Sequence, residues 1–193
     1  MSLKETPSQT AGPFLHIGTM PAIAGLRTGA PERQNILADG RTLGERIRIE
    51  GVIHDGAGAP VKDAMIEIWQ ANANGQYGSN DFTGWGRAAS DFATGLFFFE
   101  TIKPGPTLFV DGRRQAPHIS ISIFARGINI HLQTRLYFSD EAAANEADPV
   151  LRLVGQPELV ATLIAERAMR DGLPLYHFPI HLQGDRETVF FDF

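Results

Sequence analysis

The sequence predicts an all-β fold, an antiparallel β-sandwich with an irregular N-terminal arm and one or two short helices. Three observations carry this. From residue 45 onward, short runs alternate apolar and polar residues, the period of strands with one buried face. Clusters of turn formers such as Asp55-Gly56-Ala57-Gly58 separate these runs, and Gly accepts the positive φ that tight reversals need. Finally, 20 Gly and 12 Pro are spread through 193 residues without repeat, low-complexity tract or linker-like shift in composition, which leaves little room for long helices. At 43% hydrophobic and 20% charged, the chain suits one globular core. We therefore expect a single domain over residues 1–193, with 1–44 as its arm.

In the arm, Pro7, Pro13, Pro21 and Pro31 fall among Gly12, Gly18, Gly25 and Gly29. This spacing removes backbone donors and breaks any long helix or central strand, so the arm is expected to lie as a strap on something larger. Residues 46–50 alternate cleanly and read as the first strand, reversed by the turn at 54–60. Residues 64–69 form the next, followed by the turn Asn72-Ala73-Asn74-Gly75. Gly84-Trp85-Gly86-Arg87-Ala88-Ala89 matches a degenerate dinucleotide fingerprint, but no strand-loop-helix unit surrounds it, and it is read as a loop. Residues 96–102 are a strand stopped by Lys103-Pro104-Gly105-Pro106. Two more strands, 118–125 and 128–138, meet near Arg126-Gly127.

Ser139 ahead of acids and an Ala-rich stretch reads as a helix cap, and Asp148-Pro149 starts a second short helix. After Pro157 the pattern is ambiguous. A strand over 160–167 is preferred, because Asp171-Gly172 is a hairpin turn and Tyr176, Phe178, Ile180 and Leu182 then alternate. Residues 188–191 close the chain as a last strand, with the aromatic C-terminus packed in the core or an interface.

Several function classes fall away. Seventeen Lys plus Arg against 22 Asp plus Glu give a net charge of -5, so neither nucleic acid nor an anionic membrane surface is an expected partner. Zero Cys excludes disulfides, thiolate metal sites and cysteine nucleophiles. The polar start MSLKETPSQT lacks a signal-peptide core, and no segment approaches the ~20 apolar residues of a membrane span. A cytoplasmic protein is expected. No G-x-S-x-G, P-loop or H-E-x-x-H occurs. His177 and His181 are four apart, but Pro179 and a local period of two make them solvated or structural.

Residues 116–127 are the most informative. In a strand, His118, Ser120, Ser122 and Phe124 share one face, and Ile119, Ile121, Ile123 and Ala125 the other. A metal-binding H-x-H strand needs an imidazole at 120. Ser is a poor ligand there, so His118 reads as a buried histidine satisfied by its neighbours. Arg126 ends this strand next to Gly127. Its guanidinium could grip a carboxylate bidentately, or simply be an exposed turn residue, and spacing alone favours the second.

Four blocks then point to a family: ETPSQTAGPF at 5–14, IEIWQANANG at 66–75, PHISISIFARGINIHLQTRLYF at 117–138 and GDRETVFFDF at 184–193. Together they resemble, in order and along essentially the whole chain, the α chains of heteromeric intradiol ring-cleavage dioxygenases that open protocatechuate. The resemblance implies an enzyme built from α and β chains of similar β-sandwich fold. A ferric ion, Fe(III), held by two Tyr and two His of the β chain, would chelate protocatechuate there. Reaction with O2 gives 3-carboxy-cis,cis-muconate, a step of aromatic catabolism in the β-ketoadipate pathway.

The departures matter equally. Thr107 stands where iron-binding chains have a Tyr after the I-K-P-G-P turn, and His118-Ile119-Ser120 replaces H-I-H. The loop bringing the other Tyr is shortened around 77–87, with no replacement evident. One of four ligand positions is kept, so the chain is expected to bind no iron. Carried over by position, Gly12 and Pro13 would wall the substrate pocket of the β chain, Thr10 would stand behind them, and Arg126 would face the substrate carboxylate. Two rivals remain: a self-sufficient intradiol catechol dioxygenase, and a non-enzymatic β-sandwich module binding a small aromatic or a carbohydrate.

Overall fold

The computed structural model describes residues 4, 7, 9–26, 29 and 34–192. Glu5, Thr6, Ser8, Pro31 and Phe193, all invoked above, lie outside these. In the arm, α1 (Leu15–Thr19) and a 3-10 turn (Pro21–Ala24) interrupt the irregular path. The body then runs through β1 (Arg46–His54), β2 (Met65–Gln70), β3 (Trp85–Ala89), β4 (Leu96–Ile102), β5 (Thr107–Leu108), β6 (Arg114–Gln115), β7 (His118–Phe124) and β8 (Leu132–Phe138). After a 3-10 turn (Ser139–Glu141) come α2 (Ala142–Ala147), α3 (Pro149–Val154) and α4 (Pro157–Ala161), and then β9 (Ile164–Arg170), β10 (Leu173–His177) and β11 (Ile180–His181).

Two sheet halves face each other. In one, β1 is flanked by β4 and, on its other edge, by β10 and β11 in succession, with β9 beyond β10. In the other the order is β8-β7-β2-β3. A short contact, Tyr137 against Ile164 and Phe138 against Ala165, joins them. Ile47, Ile49 and Phe99 from the first half and Ile66, Ile121 and Ile123 from the second are buried in one cluster, each fully buried side chain contributing about 1.5–3 kcal/mol relative to exposure.

The sandwich class therefore holds, with a mixed rather than purely antiparallel sheet. The parallel contacts are β1 with β10 and β11, and β8 with β9. Parallel neighbours need a long crossover, and the run through α2, α3 and α4 supplies it between β8 and β9. This is also why more short helices occur than expected.

Local differences have identifiable causes. The fingerprint-like stretch read as a loop is strand β3, held along β2 with Trp85 opposite Trp69. The strand expected from 128 starts only at Leu132 as β8, because Gly127, at φ 86, turns the chain first. Ser139 caps nothing; its hydroxyl accepts from the Arg167 N–H at 3.0 Å instead. Asp148 does cap α3, accepting from the N–H groups of Val150 and Leu151. Pro157 seeds α4 where a strand was preferred, and the strand follows from Ile164. The Asp171-Gly172 turn is as expected, both residues having positive φ. Residues 188–191 form no strand; one bridge, Gln133 with Phe191, ties them down while Phe190 and Phe191 pack on the two apolar clusters. Among the described residues no helix is long and apolar enough to cross a membrane.

Candidate functional site

Chemistry-bearing side chains gather in two places, an exposed corner at the far end of β7 and a buried pocket at its near end. The corner is built by the turn that follows Phe124. The Arg126 side chain is 63% exposed, and its Nε lies 2.5 Å from Oδ2 of Asp63, in the turn before β2. One edge of the guanidinium is thus fixed and the Nη edge is left at the surface. The arm is tied to the same turn, since the Gly127 N–H donates to Thr10 Oγ1 at 2.8 Å. Beyond it Gly12 and Pro13 are exposed, a Cβ on Gly12 would meet no atom within 4 Å, and Phe14 is 72% exposed. Of the residues singled out in the sequence, Thr10 is thus tied to the backbone beside Arg126, while Gly12 and Pro13 are exposed.

The pocket starts with His118, the first residue of β7, which is 3% exposed. Its Nδ1 lies 2.8 Å from the Ala116 carbonyl. A carbonyl only accepts, so Nδ1 carries the proton and Nε2 the lone pair. Burial foremost, and then the Arg135 charge, push this imidazole down to about 4; it is neutral at pH 7. The Tyr77 hydroxyl lies 3.5 Å from Nε2, and the Tyr137 ring packs 5.7 Å from the imidazole. Burial raises both phenols above their ordinary value, so they stay protonated.

Arg135 organises the rest. It stands directly across from Ser120 in the β7–β8 ladder. Its Nη1 donates to Gln115 Oε1 at 2.8 Å and lies 3.3 Å from the Tyr137 hydroxyl. The Gln115 amide in turn donates to Thr107 Oγ1 at 3.1 Å. Tyr137 donates to Asp148 Oδ1 at 3.3 Å, while Asp148 also accepts the N–H of Ala116 at 2.8 Å. Thr107 and His118, separated in sequence, are therefore joined through Gln115, Arg135 and Tyr137, and Ser120 stands across the ladder from Arg135.

This donor set does not fit a ferric ion. Such an ion needs anionic oxygens and imidazoles, and the pocket offers one neutral imidazole, protonated phenols, two aliphatic hydroxyls and a cation, while its one carboxylate, Asp148, is taken up by the Tyr137 hydroxyl and three backbone N–H groups. Among the described residues no group of three or more His, Cys, Asp or Glu could hold a metal. His181 does not join the pocket, stacking instead on His54 with ring centroids 4.8 Å apart. Sequence reading missed Tyr77, Gln115 and Arg135. Arg135 had a usable signal, because pairing strands 118–124 and 132–138 through a short loop puts 120 opposite 135. Tyr77 had none, since its approach depends on the path of a loop.

A family model described as "Dioxygenase" matches residues 23–184. The chain is 50% identical over 196 residues to the protocatechuate 3,4-dioxygenase alpha chain of Pseudomonas putida, covering 99% of this chain and 98% of that one. It is 33% identical over 172 residues to the protocatechuate 3,4-dioxygenase beta chain of Burkholderia cepacia, covering 80% and 72% respectively. The intradiol ring-cleavage dioxygenase of Tetranychus urticae shares the fold at a TM-score of 0.60 and 17% identity, covering 76% of this chain and 84% of that one. On the family model over residues 23–184 and the 50% identity over nearly its full length, the chain belongs to the intradiol ring-cleavage dioxygenase family.

Proposed function

We propose that the chain works as the α chain of a heteromeric protocatechuate 3,4-dioxygenase, completing the substrate pocket of an iron-bearing β chain that cleaves protocatechuate with O2. What supports this reading is full-length likeness to an α chain in a protein whose own pocket does not fit iron. The oxygen chemistry then belongs to Fe(III) on the partner. This chain binds and orients: Arg126 takes the substrate carboxylate on its free Nη edge, and Gly12 and Pro13 wall the ring with Thr10 fixing the arm behind them. A carboxylate leaving water without a charged partner costs several kcal/mol or more, so a guanidinium at the mouth selects protocatechuate over plain catechol. The reading has the enzyme act in the cytoplasm, and the net charge of -5 supports neither nucleic acid nor an anionic membrane surface as a partner.

The test is protocatechuate-dependent O2 uptake by the chain expressed alone and co-expressed with its β-chain candidate. The reading expects activity only in the co-purified complex. Turnover by the chain alone would establish the self-sufficient dioxygenase, and a chain that neither recruits the β chain nor supports turnover would point to the binding module.

A further inference from the structure

We infer that the Arg135 guanidinium is the resident cation of the buried pocket, occupying the place around which its polar groups converge and thereby excluding metal ions. This goes beyond the proposed function, since it concerns the chain's own pocket and not the partner's.

The argument is geometric. The two positions whose side chains are aliphatic hydroxyls are both connected to Arg135: Ser120 is its cross-strand neighbour, and Thr107 is reached through Gln115, whose oxygen faces the guanidinium and whose amide faces Thr107. The Tyr137 hydroxyl lies against the same Nη1 and passes on to the fully buried Asp148. Asp148 is already committed to three backbone N–H groups, which keeps its negative charge fixed one hydroxyl away from the guanidinium. The Arg135 side chain, held by Gln115 and Tyr137 and opposite Ser120, supplies the positive charge among these polar groups. A metal entering beside His118 would meet a like charge in a medium that screens it poorly. Replacing the missing ligands is therefore not enough to create a metal site; the cation must go too.

The experiment uses the full chain and Co(II) or iron as the probe, with metal content measured by elemental analysis after dialysis and folding checked by circular dichroism. Thr107→Tyr/Ser120→His with Arg135 retained is expected to hold metal ~100-fold or more weakly than the same variant carrying Arg135→Gln, from like-charge repulsion. With Arg135→Lys, which keeps the charge and loses the planar fork, the affinity stays low. Ser120→His/Arg135→Gln leaves the Gln115–Thr107 bond untouched and serves if the triple variant misfolds; it is expected to bind Co(II) at least ~10-fold tighter than Ser120→His alone. Equal affinity with and without Arg135, or a folded triple variant that takes up no metal, would overturn the inference.

Discussion

Replacing Arg126 with Ala removes an exposed guanidinium from the turn after β7. In the structure Asp63 engages Nε, so two Nη groups remain for a ligand carboxylate. Hydrogen bonds to charged groups are each worth about 1.5–3 kcal/mol, and the open position of the side chain in the free chain, where water screens the charge, argues for less than their sum. A loss of about 2–3 kcal/mol in transition-state binding corresponds to a fall of roughly 30- to 150-fold in kcat/KM. Because the contact is made equally before and during ring cleavage, most of the fall is expected in KM. The assay is O2 uptake by the co-purified complex, with protocatechuate and catechol in parallel and iron measured on the same sample. Protocatechuate is expected to lose the full factor, catechol to change by less than ~2-fold, and iron to stay constant. Unchanged kinetics for both substrates, or equal losses for both, would refute the carboxylate role.

Deleting residues 1–13 removes the Thr10 contact and, on the proposed reading, the Gly12-Pro13 wall, and should raise KM for protocatechuate more than it lowers recovery of the complex; native steady-state kinetics would show the arm irrelevant to the pocket. Glu50, 6% exposed, accepts both Nη groups of Arg170 at 2.8 Å and Nε of Arg48 at 3.2 Å. Burial raises its pKa, but the two guanidinium groups outweigh this and hold it below the ordinary 4.5. The folded state thus binds this proton less readily than the unfolded one, and the stabilisation is present above pH 4.5 and lost as pH falls through the folded value. Glu50→Gln should cost about 1–3 kcal/mol at neutral pH and flatten the acid limb of stability measured by urea unfolding; an unaltered acid limb would contradict the assignment. A Cβ on Gly51 would stand 1.9 Å from the Phe178 carbonyl oxygen, where the Phe178 N–H bonds Glu50 O at 2.8 Å. Gly51→Ala should therefore destabilise by about 3 kcal/mol or more, and a thermal midpoint within a degree or two of the native one would contradict that close approach.

The strands were legible where one face is apolar and turn residues bound the run, as at 46–50, 64–69, 96–102 and 118–125. Reading failed where tertiary context decides. Trp85 to Ala89 carry two small residues and a Gly, and only the ladder to β2 makes them a strand. The C-terminal Val189 to Phe191 have strand propensity, yet Val189 bonds the side chains of Thr134 and Thr162 instead of a strand, and Gln133 with Phe191 makes an isolated bridge. The parallel contacts of β1 could not be read locally, because β10 and β11 lie more than a hundred residues further along the chain. For the site, His118 and Ser120 were readable from alternation, and Thr10, Gly12, Pro13 and Arg126 only through family resemblance. The pairing of Arg126 with Asp63 joins two distant turns, and that of Tyr77 with His118 joins a loop to the start of β7; neither leaves a periodic trace.

The central claim is that this chain carries no iron and completes a site on another. It is tested most directly by the iron content of the co-purified complex, measured together with the ratio of the two chains. One iron per pair of α and β chains, and none in this chain purified alone, is the predicted result. Two irons per pair, or stoichiometric iron in this chain by itself, would contradict it.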